Sequence, residues 1–239
     1  MTDDYAVRYP AEAADAECLA PADAALLLAA APWRRMVVLG DSVAAGVRDP
    51  LEGYADRSMT ERVADALAAA HPDLVQVNLA MPYLRIGEIR ETQLAAALDL
   101  RPDLVLVSAG GNDAFSSRFD AGRARRELDG LLRPLAQSGA LVVTWGLYDL
   151  PRSGLVAEEV AIPLAMRFDE LDAVVQHVTR TLGGVHADTH HHPRGTDPAI
   201  YSADGVHANA RGHAVAFTAL ATALAGALAA QPTRRAGSR

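Results

Sequence analysis

Short apolar runs alternate along the chain with longer stretches in which apolar residues recur at helical spacing. Five runs have the length and continuity of strands that are buried on both faces. These runs are residues 36–39, 75–79, 104–108, 141–145 and 185–188. Helical spacing is found over residues 59–70, 86–98, 120–137, 162–182 and 210–229. Because strands and helices alternate, the pattern predicts a three-layer α/β sandwich whose parallel sheet of about five strands has helices on both faces.

The predicted sheet domain spans residues 34–230, and no linker or internal repeat divides it. Residues 1–33 are predicted to be an N-terminal extension with a short helix that starts at residues 21–23 and continues through residues 24–31, where Pro32 ends it. The apolar face of this helix must be covered by the main domain or by a partner subunit, which leaves a homodimer open. Residues 231–239 are expected to be a disordered tail.

Composition narrows the classes of function. The 239 residues include 22 basic and 30 acidic side chains, and the resulting net charge of −8 argues against a general nucleic-acid binder. The single cysteine, Cys18, excludes an internal disulfide and a zinc site built from several thiolates. Residues 1–4 lack the basic charge of a secretory leader, and the apolar run at residues 24–31 is too short to span a bilayer. We therefore expect a cytoplasmic protein without integral membrane association.

Three polar turns directly follow predicted strands or precede the last helix, where ligands bind in sheets of this kind. In residues 40–42 (Gly-Asp-Ser), the serine stands at a predicted helix start, where backbone N–H groups favour negative charge. In residues 110–113 (Gly-Gly-Asn-Asp), the asparagine can donate an amide N–H to a developing oxyanion. In residues 204–207 (Asp-Gly-Val-His), the aspartate can fold back onto the imidazole and fix its tautomer.

Each of these turns has an ordinary structural explanation when it is taken alone. Aspartate and serine are common helix caps, and glycine, asparagine and aspartate commonly form turns. A lone histidine near a turn usually lies at the protein surface. The occurrence of all three turns in order along one predicted sheet is what favours a shared catalytic site.

In combination, the segments resemble the SGNH hydrolases, also called the GDSL-type esterases and lipases. The resemblance covers residues 36 to about 225 and depends on four stretches. These are Val37-Val38-Leu39-Gly40-Asp41-Ser42, Arg101-Pro102-Asp103-Leu104-Val105 leading into Gly110-Gly111-Asn112-Asp113, Asp204-Gly205-Val206-His207, and residues 207–213. The resemblance implies the flavodoxin-like α/β fold of that family.

The resemblance also implies a role for each matched residue. Ser42 is expected to attack an ester or thioester carbonyl, while His207 takes its proton and Asp204 orients His207. The backbone N–H of Ser42 and the side chain of Asn112 are expected to form part of the oxyanion hole. The resemblance implies no metal and no organic cofactor.

One position departs from the family pattern. The family usually has a glycine after the second strand, and its backbone N–H is a further oxyanion donor. The best-aligned residue here is Tyr83, which can still donate its N–H but adopts fewer backbone conformations than glycine and would crowd the mouth of the site. Because the loss of one oxyanion donor costs about 100-fold or more in rate, the departure predicts a slow enzyme or one of altered specificity.

Other residues near these turns are expected to have supporting or ordinary roles. Asp41 is expected to hold the serine turn by hydrogen bonds, Gly111 to permit close backbone approach, and Tyr148 to line the pocket. The run at residues 190–192 (His-His-His) lacks a spacing that would place three imidazoles on one ion, so no metal site is expected there. Asp188 is expected to act as a cap or to pair with an arginine.

The sequence therefore predicts a serine esterase whose substrate is a small-molecule acyl ester, an acyl thioester or an O-acetylated sugar. The same acyl-enzyme could pass its acyl group to an alcohol or amine, so an acyltransferase stays open as an alternative. The departure at Tyr83 leaves a second alternative, a catalytically weakened member that binds an acylated ligand. A flavodoxin-like binding domain with accidental motifs would require coincidence at several positions.

Overall fold

Five parallel strands form one sheet in the computed structural model, which describes residues 2–230 of the chain. The strands are β1 (Arg35–Gly40), β2 (Val75–Asn78), β3 (Leu104–Ser108), β4 (Leu141–Trp145) and β5 (Val185–Ala187). Their order across the sheet is β2-β1-β3-β4-β5, which is the flavodoxin-like order. Because this order reverses direction between β1 and β3, a crevice is expected at the carboxyl ends of these two strands.

The helices lie on both faces of this sheet. In the described residues they are α1 (Thr2–Arg8), α2 (Pro10–Ala14), α3 (Pro21–Leu27), α4 (Ser42–Ala45), α5 (Met59–Ala70), α6 (Ile86–Asp99), α7 (Gly111–Ala114), α8 (Ala121–Gln137), α9 (Glu158–Thr181) and α10 (Ala210–Ala230). Helices α3, α5 and α10 pack together on one face, and α6, α8 and α9 pack together on the other. The predicted three-layer α/β sandwich is therefore confirmed.

Strand β3 shows why the sheet is stable in this arrangement. All five of its residues are buried, and they alternate between two apolar cores. Val105 and Val107 face the core shared with α6, α8 and α9, whereas Leu104 and Leu106 face the core shared with α3, α5 and α10. A strand with four consecutive apolar residues is stable in water only when helices cover both faces of the sheet, as here.

The N-terminal segment packs against the main domain. In α3 and directly after it, Ala24 and Leu28 are fully buried in the core that α5 and α10 share. The carboxylate of Glu12 in α2 is also buried and accepts a hydrogen bond of 2.9 Å from Nη2 of Arg62 in α5. The apolar face of the short helix is therefore covered by the main domain. The division of the chain into an extension and a domain at residue 33 stays a prediction.

The predicted and observed elements differ mainly at short or irregular segments. Helix α9 begins at Glu158, four residues before the predicted start at residue 162, and Pro163 lies inside it. Pro163 is the sixth residue of α9, so the helix lacks the hydrogen bond that an N–H at this position would donate to the carbonyl of Glu159. The helix start predicted at Ser42 is confirmed by α4, whereas the short helices α1, α2 and α7 are not indicated by the sequence pattern. The tail predicted at residues 231–239 lies outside the described residues.

Helix α10 is the one described helix that is long and apolar enough to cross a membrane, with a mean hydropathy of 1.6. Its inner side is buried against α5, α3 and β5. Its apolar composition is therefore explained by its position in the core of the sandwich.

Candidate active site

The turn after β1 presents Ser42 at the start of a helix. Gly40 ends the strand with φ of +143°, and a Cβ atom there would lie 2.1 Å from the carbonyl oxygen of Ser108. Asp41 caps α4 by accepting a hydrogen bond of 3.0 Å from the N–H of Val43. The cap is thus supplied by Asp41, which leaves the hydroxyl of Ser42 free for another interaction.

A chain of hydrogen bonds joins the first and third predicted turns. The hydroxyl oxygen of Ser42 lies 2.7 Å from Nε2 of His207, and Nδ1 of His207 lies 2.6 Å from Oδ2 of Asp204. The other carboxylate oxygen of Asp204 accepts the backbone N–H groups of Val206 and His207 at 2.9 and 3.0 Å. With Asp204 accepting from Nδ1–H, Nε2 is the basic nitrogen of the imidazole and can take the proton of Ser42.

The charge state of Asp204 supports this tautomer. Partial burial by itself would raise the pKa of Asp204, but the hydrogen bonds from the His207 side chain and from the two backbone N–H groups hold it below its usual value. Asp204 is therefore ionised at neutral pH. An ionised carboxylate at Nδ1 stabilises the imidazolium that forms when Ser42 loses its proton.

The second predicted turn places Asn112 at the same pocket as Ser42. Its side-chain Nδ2 donates a hydrogen bond of 2.9 Å to the carbonyl oxygen of Leu84, which fixes the plane of the amide. The second N–H of the same nitrogen is left for an oxyanion. Asn112 and the backbone N–H of Ser42 are thus available to stabilise negative charge in the pocket.

Tyr83 occupies the glycine position in a backbone conformation that glycine prefers. Its φ is +70°, in the left-handed region where a Cβ is strained, and its side chain is 86% exposed at the mouth of the pocket. In the described residues its backbone N–H has no hydrogen-bond acceptor, and the same is true of the N–H of Ser42. The loop therefore has the left-handed conformation that glycine adopts readily, and the N–H of Tyr83 stays a predicted oxyanion donor.

A buried glutamine that sequence reasoning missed holds the turn before Ser42. Oε1 of Gln93 accepts from the N–H of Gly40 at 2.8 Å, and Nε2 of Gln93 donates to the carbonyl oxygen of Gly40 at 2.9 Å. Gln93 lies on the buried face of α6 with Ile86, Ile89 and Ala97. A polar residue at an otherwise apolar helical position was the feature of the sequence that could have pointed to this contact.

The pocket beside Ser42 has a volume of about 450 Å³ and is mostly apolar. This volume is typical of small-molecule sites, which range from roughly 300 to 1,000 Å³. Phe115 and Phe168 meet edge to face in its wall, with ring centroids 5.5 Å apart. Other apolar lining residues are Val43, Met59, Trp145, Leu147, Leu150 and Ala216. The site can therefore hold an apolar group next to a hydroxyl that has an adjacent base.

The three predicted supporting residues all line this pocket. The hydroxyl of Tyr148 donates to the carbonyl oxygen of Gly212 at 2.8 Å, so the ring lines the pocket while its polar end is already used. Gly111 is buried, and a Cβ there would meet Leu147 at 3.3 Å and Asp41 at 3.6 Å. Burial raises the pKa of Asp41 to about 7, and its hydrogen bond to Val43 only partly offsets that effect.

Comparison with known proteins decides the family. Residues 38–215, more than half of the chain, match the model of the GDSL-like lipase/acylhydrolase family. The chain belongs to this family. The match confirms the resemblance drawn from the four stretches, and with it the expectation of a family of enzymes that act on esters. A comparison with curated proteins finds no match.

Several solved structures share the fold of this chain at low sequence identity. A protein named TesA is 18% identical with a TM-score of 0.65, and the superposition covers 81% of this chain and 99% of that one. A catalytic mutant of Axe2, an acetylxylan esterase from Geobacillus stearothermophilus, is 16% identical with a TM-score of 0.65, covering 80% and 94%. The lipase/acylhydrolase from Enterococcus faecalis is 22% identical with a TM-score of 0.62, covering 81% and 96%. These structures establish the fold.

The run of three histidines does not converge on one point. His190 contacts the carbonyl oxygen of Leu147 and the carboxylate of Asp169, each within 3 Å, whereas Nδ1 of His192 accepts the N–H of Arg194. His191 pairs with Asp188 at 2.9 Å. Of the two roles expected for Asp188, the structure shows the cap, because Oδ1 of Asp188 accepts the backbone N–H of His191 at 3.0 Å, and its side-chain partner is His191 and not an arginine.

Proposed function

We propose that this GDSL-type hydrolase cleaves carboxylic esters through an acyl-enzyme on Ser42. The observation that carries the proposal is the hydrogen-bonded chain from Ser42 through His207 to Asp204 at an apolar pocket. The hydroxyl of Ser42 attacks the ester carbonyl while Nε2 of His207 takes its proton. The tetrahedral oxyanion then accepts hydrogen bonds from the N–H of Ser42 and the side chain of Asn112.

Collapse of this intermediate releases the alcohol. The imidazolium of His207 donates its proton to the leaving oxygen, and the acyl group stays on Ser42 as an ester. Water then attacks the acyl-enzyme as His207 takes a proton from it, and the second collapse returns that proton to Ser42 and releases the carboxylic acid. Asp204 stabilises the imidazolium in both halves without itself taking up the proton.

The lining of the pocket supports an apolar acyl group as the substrate's recognised part. Phe115, Phe168 and Met59 contribute apolar surface next to Ser42, and the volume of about 450 Å³ exceeds what an acetyl group fills. Burial of additional methylenes contributes about 0.8 kcal/mol each where the pocket can hold them. We therefore propose an ester with an aliphatic or aromatic acyl group longer than acetyl.

A chain-length series of p-nitrophenyl esters tests the proposal, from acetate to dodecanoate, with Ser42→Ala as the control. We expect kcat/KM to rise with chain length up to an optimum beyond acetate and to fall to the uncatalysed background in Ser42→Ala. Turnover that survives in Ser42→Ala would refute the nucleophile. A folded wild-type protein that binds long-chain esters without turning them over would favour the alternative of a weakened, ligand-binding member.

A further inference from the structure

A second cluster of polar side chains lies outside the proposed ester site. Asp172 of α9, Asp188 at the end of β5 and His191 in the following turn each present one potential ligand atom, and these atoms lie within 4.8 Å of one another. None of the three takes part in the proposed hydrolysis. Asp188 and His191 are exposed, so the cluster is reachable from solvent.

Two buried atoms beside this cluster have unused hydrogen-bonding capacity. Oδ1 of Asp172 and Nε2 of His186 have no hydrogen-bond partner within residues 2–230, and the two atoms lie 3.3 Å apart. Asp172 is 5% exposed, and the side chain of His186 is fully buried. Because buried polar atoms without partners are rare, this pair indicates a missing ligand.

The backbone at the end of β4 leaves room for the carboxylate of Asp172. A Cβ on Gly146 would lie 2.4 Å from Oδ1 of Asp172 and 2.8 Å from the backbone of His190. Only glycine at this position therefore permits the carboxylate to lie where it does. The buried carboxylate is costly unless a positive charge meets it.

The imidazole of His186 is fixed in place beside Asp172. Its Nδ1 lies 2.9 Å from the hydroxyl of Thr144, which is itself 2.9 Å from the hydroxyl of Thr179. Its Nε2 lies 3.3 Å from Oδ1 of Asp172. A residue that contacts a metal-binding carboxylate in this way helps to hold that ligand in position.

We propose that Asp172, Asp188 and His191 bind a divalent transition-metal ion of the zinc type, next to the imidazole of His186. One imidazole and two carboxylates supply nitrogen and oxygen donors that zinc accepts, with water completing a four-coordinate site, whereas calcium and magnesium prefer oxygen donors alone. The ion neutralises the buried carboxylate of Asp172 and ties α9 to the end of β5. Its effect is structural, because the cluster does not include Ser42, His207 or Asp204.

Isothermal titration calorimetry with Zn²⁺ tests the proposal on untagged, full-length protein that has been stripped with a chelator. We expect one Zn²⁺ per chain, a higher Tm with Zn²⁺, and no comparable binding of Ca²⁺. His191→Ala and Asp188→Asn change exposed side chains and are expected to fold, and each should weaken Zn²⁺ binding at least about tenfold. His192→Ala is the matched control, because it removes a neighbouring imidazole of the same run and should bind Zn²⁺ as the wild type does.

Three outcomes would overturn the assignment. The first is wild-type protein that shows no saturable Zn²⁺ binding. The second is an equal loss of affinity in His191→Ala and His192→Ala, which would mean that the histidine run binds Zn²⁺ without a built site. The third is Ca²⁺ binding as tight as Zn²⁺ binding, which would assign the wrong ligand chemistry. Protein stability is measured in parallel, so the result does not depend on esterase activity.

Discussion

The residues around Ser42 differ in whether their backbone conformation and surroundings permit a side chain. Gly40 cannot carry a side chain, because its Cβ would collide with the carbonyl of Ser108. Tyr83 does carry one, although its φ of +70° is strained for any residue with a Cβ. At 86% exposure the ring of Tyr83 gains little from packing, so the strain is not offset by burial. The ring instead stands at the mouth of the pocket, where it can contact the alcohol part of an ester.

Tyr83→Gly should therefore raise stability and relax specificity together. Removing the left-handed strain is expected to raise the free energy of unfolding by about 1 kcal/mol. Loss of the ring should raise kcat/KM for esters of bulky alcohols relative to methyl esters. Tyr83→Ala is the matched control, because it removes the ring but keeps the Cβ. Tyr83→Ala should show the same change in specificity as Tyr83→Gly but no increase in the free energy of unfolding measured with urea. Equal stability of the two variants would contradict the strain argument.

Asn112→Ala isolates the contribution of the side-chain oxyanion donor. We expect kcat to fall about 100-fold or more with KM little changed, because the oxyanion exists only along the reaction path. Steady-state kinetics on the best p-nitrophenyl ester measures both parameters. The hydrogen bond to Leu84 is lost as well. Asn112→Asp keeps the side-chain shape, but its carboxylate donates neither to Leu84 nor to an oxyanion, so kcat should fall at least as far in that variant. An unchanged kcat in both variants would remove Asn112 from the oxyanion hole.

At the level of elements, the N-terminal helices are joined to the domain by a buried ion pair. Glu12 of α2 and Arg62 of α5 bond through both carboxylate oxygens, and Glu12 also accepts the N–H of Ala55 at 2.8 Å. The hydroxyl of Tyr5 in α1 donates to the same carboxylate at 2.6 Å. One carboxylate thus connects α1, α2, α5 and the loop before α5.

Glu12→Ala should destabilise the protein far more than a surface substitution. Removing one partner of a buried pair leaves Arg62 uncompensated, at a cost of about 3–5 kcal/mol. Urea unfolding monitored by circular dichroism measures the change. Glu17→Ala is a control in the same segment with a more exposed carboxylate, and it should cost less than about 1 kcal/mol. Comparable effects of the two substitutions would show that α2 contributes little to the domain.

Periodicity located the strands and the five long helices because each of those elements carries its own apolar face. Helix α6 shows the limit of that method. The apolar residues Ile86, Ile89 and Leu94 indicate one side of this helix, and Leu94 does pack against the same core, but the fully buried face also contains Gln93 and Ala97. Gln93 is buried because its side-chain amide hydrogen-bonds to both the N–H and the carbonyl oxygen of Gly40, which is 53 residues away. The ion pair of Glu12 likewise spans 50 residues, so no local pattern reports it.

The candidate triad could be predicted because its contacts follow from short spacing in the sequence and from the order of the strands. Asp204 and His207 lie three residues apart and form their contact within one turn, so the spacing contains the geometry. The contact of Ser42 with His207 spans 165 residues, but the order of strands in a parallel sheet brings their turns to one edge. The fourth-strand side of the pocket, including Trp145 and Leu147, depends on loop conformations that the sequence pattern does not determine.

In the molecule as a whole, two buried groups next to the active-site pocket give opposite dependences of stability on pH. Burial lowers the pKa of His213 to about 4, from an ordinary value of 6.5, so it is neutral in the folded protein. Burial raises the pKa of Asp41 to about 7, from 3.8. As the pH falls from 6.5 to 4, the unfolded chain protonates His213 and the folded state loses stability. As the pH rises from 3.8 to 7, the unfolded chain ionises Asp41 and the folded state again loses stability.

Replacing one of these groups removes its contribution to the pH dependence of stability. The difference between the wild type and that variant therefore measures the contribution of the replaced group. The free energy of unfolding of the wild type relative to His213→Asn should fall by up to about 1.4 kcal/mol per unit as the pH decreases from 6.5 to 4. Relative to Asp41→Asn it should fall by a similar amount as the pH increases from 4 to 7. Urea unfolding at intervals across this range measures both slopes. Wild-type slopes in both variants would show that neither group is buried as described.

Covalent labelling with a fluorophosphonate tests the central claim most directly, because the reagent reacts much faster with a serine that an adjacent base activates than with other side chains. Intact-mass and peptide mass spectrometry should find one phosphonyl group per chain, located on Ser42. The adduct should be absent in Ser42→Ala and form at least about 100-fold more slowly in His207→Ala. Labelling at a different residue, or equal labelling rates in His207→Ala and the wild type, would contradict the assignment of Ser42 as a nucleophile activated by His207.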